Sequence, residues 1–455
     1  MSIDVVILAA GQGSRMKSNL PKVLHKVGGK PMVQHVIDTA SELKGVNTHV
    51  VIGHGADKLR DELAGQPLSF ALQAEQKGTG HAVAQAMPSV TEDSVVLVLY
   101  GDVPLTRAET MQQMVDIAAT GDLALLTVNL KDPTGYGRIV RNHQGSVIAI
   151  VEHKDATPEQ QKISEVNTGI LAVKSSYLNE WLPQLSSENA QGEYYLTDII
   201  AMAAAQGVVI SAIQPEAEEE VQGVNNRIQL AELERWYQAQ KAEWLMANGA
   251  TLADPKRIDV RGNVKIGQDL LIDVNVVFEG EVELGDNVII EPNCYLKNCT
   301  IAAGTRIKAN TVIEEAKVAE ACDIGPFARL RPGTVLATKA KVGNFVETKK
   351  AIVGEGSKIN HLSYIGDAIL GENVNVGAGT ITCNYDGVNK SLTEIEDNAF
   401  IGSNTALVAP VKVGSMATVG AGSTISENVT ADALAIARAR QAEIKNWPRP
   451  QKKGN

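Results

Sequence analysis

The sequence predicts two unlike halves: an α/β domain built on a mostly parallel sheet, followed by a parallel β-helix. Three observations predict this. The run Val5-Val6-Ile7-Leu8-Ala9-Ala10 is continuously apolar and ends in Gly11-Gln12-Gly13, as expected of a strand buried on both faces that feeds a tight turn. Further apolar segments then alternate with helical stretches. From about residue 264 onward, aliphatic residues recur at a spacing of six.

The chain has 455 residues, too many for one ordinary core. Its formal net charge of -11 argues against a general nucleic-acid or membrane-surface role, because such proteins usually carry a basic face. Any anionic ligand must therefore be held by local positive charge. No apolar stretch reaches the roughly 20 residues of a membrane span, and no signal core opens the chain, so a cytoplasmic location is expected. Cys294, Cys299, Cys322 and Cys383 show no CxxC spacing and are expected to be reduced thiols with packing roles.

Strand one leads to the first chemical feature. Gly11 and Gly13 let the backbone approach a ligand and aim amide N–H groups into one concavity, while Arg15 and Lys22 put positive charge on its rim. The pattern is a phosphate cradle. It is not a Walker loop, which needs G-K-S/T, nor a dinucleotide fingerprint, which would want a third glycine at Met16. A bare GxG serves as often merely to turn the chain. The longer signature, Leu8-Ala9-Ala10-Gly11-x-Gly13-x-Arg15-Met16 with Pro21-Lys22, resembles that of the sugar-1-phosphate nucleotidyltransferases, with Ser14 in place of the usual Thr.

The later strands are expected at Val50–Ile52, Phe70–Leu72, Val95–Leu99, Leu123–Val128, Ile170–Val173 and Val208–Ile213, joined by helices on both faces. Ligands of such sheets bind at the carboxyl ends of the strands. Four polar motifs fall there. Gln73-Ala74-Glu75-Gln76-Lys77-Gly78-Thr79-Gly80-His81, taken alone, also reads as an ordinary loop. Tyr100-Gly101-Asp102 sets a carboxylate just past a buried strand, a natural ligand for Mg2+ beside phosphates. Gly135-Tyr136-Gly137-Arg138 and Val151-Glu152-His153-Lys154, the latter followed by Asn167-Thr168-Gly169, also suit hairpin and loop chemistry.

Together with Gly223-Val224-Asn225-Asn226, these motifs resemble the uridylyltransferase domain of the bacterial bifunctional enzymes that also carry a glucosamine-1-phosphate acetyltransferase. The resemblance covers residues 1–227 and implies a Rossmann-like nucleotidyltransferase domain. By it, Leu8, Ala9, Ala10, Gly11, Gln73, Gly78 and Thr79 hold UTP, and Arg15 and Lys22 contact its phosphates. Tyr100, Gly101, Gly137, Glu152 and Asn167 surround the N-acetylglucosamine moiety, and Asp102 and Asn225 ligate Mg2+.

Pro215 to Glu220 is an acidic run, expected to form a solvated face or loop. From Arg227, Leu230, Leu233, Tyr237 and Trp244 recur at helical intervals among good helix formers, with Asn226 placed to cap and Asn248-Gly249 to end the helix. Residues 228–248 are expected to link the two halves.

In the second half, Ile266, Ile272, Phe278, Leu284, Ile290 and Leu296 fall six apart, and Ile301, Ile307 and Ile313 resume after a one-residue slip. Ile324, Leu330, Val342, Val376, Ile401, Val413, Val419 and Ile425 continue the series with interruptions. Three such hexads make one coil of a parallel β-helix, each aliphatic pointing inward. Two interruptions carry polar chemistry: Arg331, Asn344 to Lys350 and Asn360 to Asp367, then Asn375 to Lys390. His361 falls among Arg331, Lys349, Tyr364 and Lys390 in a repeat otherwise turned by small polar residues.

This half resembles the left-handed β-helix acetyltransferase domain of the same bifunctional family, over residues 249–438 of a predicted domain 249–455. The resemblance implies that His361 is the general base, which suits an imidazole titrating near the working pH. It implies that Arg331, Lys349, Tyr364, Asn375 and Lys390 hold the sugar phosphate, and that Ala378, Asn384, Tyr385, Ser403, Ala421 and Arg438 line the acetyl-CoA site. It also implies a homotrimer. The basic tail from Arg438 to Lys453 departs from the family's local sequence after that arginine and otherwise reads as a disordered end.

The expected function is therefore acetylation of glucosamine-1-phosphate by acetyl-CoA, followed by uridylyl transfer from UTP to give UDP-N-acetylglucosamine. Two rival readings are a single-activity nucleotidyltransferase with a structural β-helix, and a sugar-nucleotide sensor without turnover. The first leaves His361, Tyr364 and Asn384-Tyr385 without a use, and the metal-ligand pair weighs against the second.

Overall fold

A computed structural model describes residues 2–452. Lys453, the last basic residue of the predicted tail, lies outside the described residues. The chain forms two compact units, one up to Tyr237 and one from Gln238.

The first unit is built on a nine-stranded sheet. In chain order its strands are β1 (Ile3–Leu8), β2 (Val46–Ile52), β3 (Leu68–Leu72), β4 (Val95–Tyr100), β5 (Leu123–Asn129), β6 (Arg138–Arg141), β7 (Val147–Val151), β8 (Glu165–Lys174) and β9 (Ile210–Ile213). The spatial order is β9-β5-β8-β4-β1-β2-β3, with the β6–β7 hairpin attached to β8. Every residue of β1 is buried, and its side chains alternate between two apolar layers. Val5 and Ile7 pack with Val36, Leu97 and Met111, whereas Val6 and Leu8 pack with Val83, Val98 and Ile199. A strand covered on both faces has no polar side, which is why the run is continuous.

The pairings of β1 with β2 and β4, of β2 with β3 and of β5 with β9 are parallel. Apart from the antiparallel β6–β7 hairpin, the exception is β8, which runs antiparallel to both β4 and β5. The beginning of β8 therefore lies at the sheet edge where β1, β3 and β4 end. That reversal brings Asn167 to the ligand edge.

The acidic run corrects one expectation. Glu220 is fully buried rather than solvated. Its carboxylate accepts from the Thr110 hydroxyl at 3.0 Å and faces Arg107 Nε at 3.4 Å, which supplies the partners a buried charge requires. The helix after it runs Arg227–Ala247, and Asn226 caps it by accepting from the Ile228 and Gln229 N–H groups at 2.9 and 3.0 Å.

The second unit is the β-helix. One ladder of eleven strands forms one face, from Ala250–Leu252 to Leu434–Ala435, and a fourteen-stranded sheet forms the rest. All pairings within these ladders are parallel, as in Ile258–Ile266 on Val276–Leu284 and Lys341–Asn344 on Lys358–His361. The apolar hexad residues line its interior: Ile272, Phe278, Leu284, Ile290, Leu296, Ile301 and Ile307 are all buried in one continuous core. The one-residue slip has a visible cause. Between Glu279 and Val282 the register shifts, and opposite that corner Asn298 turns alone at φ +46°, accepting the Glu281 N–H at 3.0 Å. One left-handed residue there makes the corner that two residues make a coil earlier.

Cys294, Cys299 and Cys322 are buried in this core, and none of the four cysteines is bonded to another. Among the described residues, no helix is long and apolar enough to cross a membrane.

Candidate functional site

The carboxyl ends of β1, β3 and β4 open onto a cavity of about 310 Å³. Leu8, Ala9, Ala10 and Gly11 line it from β1, Gln73, Gly78 and Thr79 from the loop after β3, and Tyr100 and Asp102 from β4, with Lys22 at its rim. These ten were expected from the sequence. The glycine loop is drawn tight against Lys22: Gly13 has φ +62°, and a Cβ there would lie 2.6 Å from that of Lys22. Only glycine fits such a turn without strain.

Four charged or polar groups meet at the cavity mouth. The Lys22 ammonium binds the Asp102 carboxylate and also donates to Asn225 Oδ1 at 3.3 Å. Arg15 Nη2 donates to the same Oδ1 at 2.9 Å. The Val224 N–H donates to the Asp102 carbonyl at 3.0 Å, so residues far apart in sequence are fixed side by side. The side chains of Lys22 and Asp102 are only 17% and 15% exposed, a setting in which their attraction is weakly screened. Arg15 is exposed and touches this group without lining the cavity.

Gly137, Glu152 and Asn167 form an adjoining group. The Asn167 N–H donates to the Gly137 carbonyl at 2.9 Å. A Cβ on Gly137 would lie 3.4 Å from Glu152 Oε1, which accepts from the Thr197 hydroxyl at 3.1 Å. Burial pushes the Glu152 carboxyl up, the Thr197 hydrogen bond opposes this, and the charges of Asp155, Asp198 and Glu193 add to it. Tyr100 joins the two groups: burial first, then the charges of Asp102 and Glu152, push its phenol above its ordinary value. Gly101, whose N–H donates to the Leu8 carbonyl at 3.0 Å, closes the floor between β1 and β4.

In the second unit, His361 ends the strand Lys358–His361 and is exposed. Its Nδ1 lies 2.7 Å from Asn344 Oδ1, one coil earlier. The same corner position is taken in the next coils by Ala378, Ser403 and Ala421. The carbonyls of Asn344, His361, Ala378 and Ser403 accept in turn from the N–H groups of Leu362, Gly379, Asn404 and Gly422. Successive coils are about 4.8 Å apart, the spacing of neighbouring strands. His361 thus heads a column of small residues, and Arg438 Nη1 reaches it by donating to the Ala421 carbonyl at 2.6 Å.

Around the corner from His361, the cations gather. Lys349 is held below its ordinary pKa, first by the neighbouring Lys390 and then by Arg331, whose Nη1 is 2.7 Å from Glu347 Oε1. Tyr364 pairs in register with Glu347. Three cations against two carboxylates, Glu347 and Asp367, leave the corner with net positive charge. The loop that interrupts the repeat brings Asn384, Tyr385 and Lys390. Asn384 Nδ2 donates to Asp367 at 2.5 Å, and the exposed Tyr385 hydroxyl turns onto the Gly387 carbonyl at 2.5 Å. Asn375 is not among the cations; it lies on its strand between Lys358 and Phe400.

The family described as MobA-like NTP transferase domain matches residues 5–159, a GMPPB C-terminal domain matches 260–347, and a hexapeptide repeat of succinyl-transferase matches 393–427. Whole-length relatives decide the family. A bifunctional protein GlmU of Marinobacter nauticus is 65% identical, covering 99% of each chain. One from Cellvibrio japonicus is 60% identical over 99% of this chain and 100% of its own, and one from Pseudomonas putida GB-1 is 58% identical over 99% of each. This chain belongs to the bifunctional GlmU family. Its β-helix is accordingly the left-handed hexapeptide kind.

Among residues that the sequence pattern does not single out individually, Gln76 and Glu193 line the cavity. Gln76 stands within a motif already singled out, whereas Glu193 comes from a distant loop held by the Tyr194 N–H on the Lys77 carbonyl at 2.8 Å. No local pattern announces it.

Proposed function

We propose that the cavity of the first unit and the His361 corner of the second carry the two activities of this bifunctional enzyme. The enzyme acetylates glucosamine-1-phosphate with acetyl-CoA and transfers uridylyl from UTP to the resulting N-acetylglucosamine-1-phosphate, giving UDP-N-acetylglucosamine and pyrophosphate for cell-envelope synthesis. The observation that carries the assignment is the meeting of Arg15, Lys22, Asp102 and Asn225 at the mouth of the glycine-lined cavity.

In uridylyl transfer, the sugar phosphate oxygen attacks the α-phosphorus of UTP and pyrophosphate leaves in line. Catalysis is positioning and charge neutralisation, and needs no nucleophilic side chain. Arg15 and Lys22 neutralise phosphate oxygens, while Gly137, Glu152 and Asn167 orient the sugar. Asp102 and Asn225 suit Mg2+, because their oxygens already converge on a cation, the Lys22 ammonium. One carboxylate with substrate phosphates is the usual donor set for that ion, which when bound supplies further charge neutralisation.

In acetyl transfer, His361 Nε2 takes a proton from the 2-amino group of glucosamine-1-phosphate as the nitrogen attacks the thioester carbonyl; the C–S bond then breaks and the imidazolium returns that proton to sulfur, so coenzyme A leaves as the thiol. Arg331, Lys349, Tyr364 and Lys390 hold the sugar phosphate, and Ala378, Ser403, Ala421, Asn384, Tyr385 and Arg438 line the acetyl-CoA side. A homotrimer completes this exposed site with neighbouring subunits. Its support is an apolar ridge beside the His361 column, where Phe327, Phe345 and Leu362 are 50%, 56% and 62% exposed. A mass in solution equal to three chains is the expected result. A cytoplasmic location is part of this reading, and its support is the use of UTP and acetyl-CoA as substrates.

The test is a pair of variants, each assayed for both reactions. His361→Ala should lose about 10²- to 10⁴-fold in acetyl transfer, as when a general base is removed, and retain uridylyl transfer. Asp102→Ala should do the reverse. Loss of both activities in either variant, or of neither, would refute the division.

A further inference from the structure

Asn344 lies in the stretch Asn344 to Lys350, yet neither reaction as described uses it. Its place in the fold gives it one. Asn344 and His361 are register partners in adjacent coils of the β-helix, and Asn344 Oδ1 stands 2.7 Å from His361 Nδ1. The backbones are also tied there, by the Leu362 N–H on the Asn344 carbonyl at 3.1 Å.

An amide oxygen accepts and does not donate, so the imidazole nitrogen facing it must carry the proton. That fixes His361 in the Nδ1–H tautomer and leaves the Nε2 lone pair free. A base needs this arrangement, since a neutral imidazole in the other tautomer presents an N–H where the substrate proton must be taken. The same hydrogen bond fixes the plane of the exposed ring. The following corner residues, Ala378, Ser403 and Ala421, have no side chain that could do so from the other direction at comparable reach.

We infer that Asn344 is a positioning residue for acetyl transfer, setting the tautomer and orientation of His361 through its side-chain oxygen. This rests on the reading of His361 as the base. The role is specific to an acceptor at this position. An aspartate should serve, and an alanine or a leucine should not.

The test is a mutant cycle in the full-length enzyme with Asn344→Ala, Asn344→Asp, His361→Ala and the double variant, each checked by its melting transition. Asn344→Ala should lower kcat for acetyl transfer about five- to tenfold, the size of one net hydrogen bond, with both KM values within about twofold. Asn344→Asp should restore most of the rate. On the His361→Ala background, Asn344→Ala should cost nothing more, because a group acting through the imidazole has nothing left to act on. Additive losses, or failure of Asn344→Asp to rescue a folded protein, would assign Asn344 a structural role and overturn the inference. If His361→Ala alone left acetyl transfer unchanged, the general-base reading would fall. If it abolished the reaction while Asn344→Ala did nothing, only the positioning role would.

Discussion

Gly78→Ala is the perturbation whose cost the first unit defines best. Gly78 has φ +108° and ψ 176°, a region that is essentially closed to residues with a side chain and costs about 1–3 kcal/mol to impose. The new Cβ would also lie 2.6 Å from the Tyr194 carbonyl oxygen and 2.8 Å from the Tyr194 nitrogen. Both are backbone atoms, so no flexible side chain can yield, and overpacking of this kind adds roughly 1–3 kcal/mol. Relief requires moving the loop off Tyr194. That breaks the Tyr194 N–H to Lys77 carbonyl bond at 2.8 Å, the Gly80 N–H to Tyr194 carbonyl bond at 2.9 Å and the Leu196 N–H to Thr79 hydroxyl bond at 3.1 Å. Those bonds hold the cavity wall formed by Gln73, Gly78 and Thr79. The melting temperature of the first unit should fall by about 4–24 °C, at roughly 2–4 °C per kcal/mol for a unit of this size. The KM for UTP should rise at least about tenfold, with acetyl transfer unchanged. Gly121→Ala is the matched control, since Gly121 has φ +103° and nothing within 4 Å of the new Cβ. It should show strain without the KM effect. A Gly78→Ala enzyme with the parent melting temperature and UTP KM would refute the reasoning.

Three other outcomes follow from single sites. Glu152→Gln should lower uridylyl transfer yet stabilise the first unit at pH 8. Burial raises the folded-state pKa of Glu152, so its share of stability is full below the unfolded value near 4.5 and lost as pH rises through the folded one; melting curves across pH 4–8 should show the variant's advantage growing upward. Lys22→Gln should tighten Mn2+ binding measured by electron paramagnetic resonance without nucleotide, because Asp102 and Asn225 lose the ammonium that occupies them, while uridylyl transfer falls; unchanged metal binding would count against the pair as ligands. Native protein should present one thiol per chain to a disulfide reagent and four after denaturation: burial pushes Cys294 and Cys322 up to about 11 and Cys299 to about 12, whereas Cys383 is only half-buried.

The sequence was most informative where one physical cause dominates a whole stretch. A strand covered on both faces must be apolar throughout, and a coil that turns inward every sixth residue must place an aliphatic there. Both patterns therefore survived into the structure at β1 and along the hexads. Direction is a different matter. The apolar face of β8 reads like that of its parallel neighbours, and what reverses it is the preceding β6–β7 hairpin, to whose first strand Val166 pairs. Site residues divide in the same way. Lys22 and Asp102 stand beside strand ends and could be found from them. Glu193 reaches the cavity only through backbone bonds made by its neighbour, and Glu220 is buried only because Thr110 and Arg107 come to meet it. Neither leaves a local trace.

The corner beside the His361 column shows how a repeat can carry information that its own period hides. In most coils the left-handed position there is asparagine or glycine: Asn293 and Asn310 before, Gly379, Asn404 and Gly422 after. Those residues accept positive φ cheaply. Phe327, Phe345 and Leu362 take the same position at φ +56°, +56° and +49°, at a cost of order 1–2 kcal/mol each. They gain little inside the chain, being half exposed or more, although the two phenyl rings stack at 5.2 Å. The coil itself has no need of them, since its neighbours turn the same corner without strain. Strain kept in three consecutive coils, at the height of Asn344 and His361, is the pattern expected where the chain must meet something outside itself. A second subunit laid on that ridge would cover the phenyl and leucyl surfaces and close the acetyl-transfer site. The residues that break the asparagine rule and those that break the small-residue rule are then one adaptation, seen from two adjacent columns.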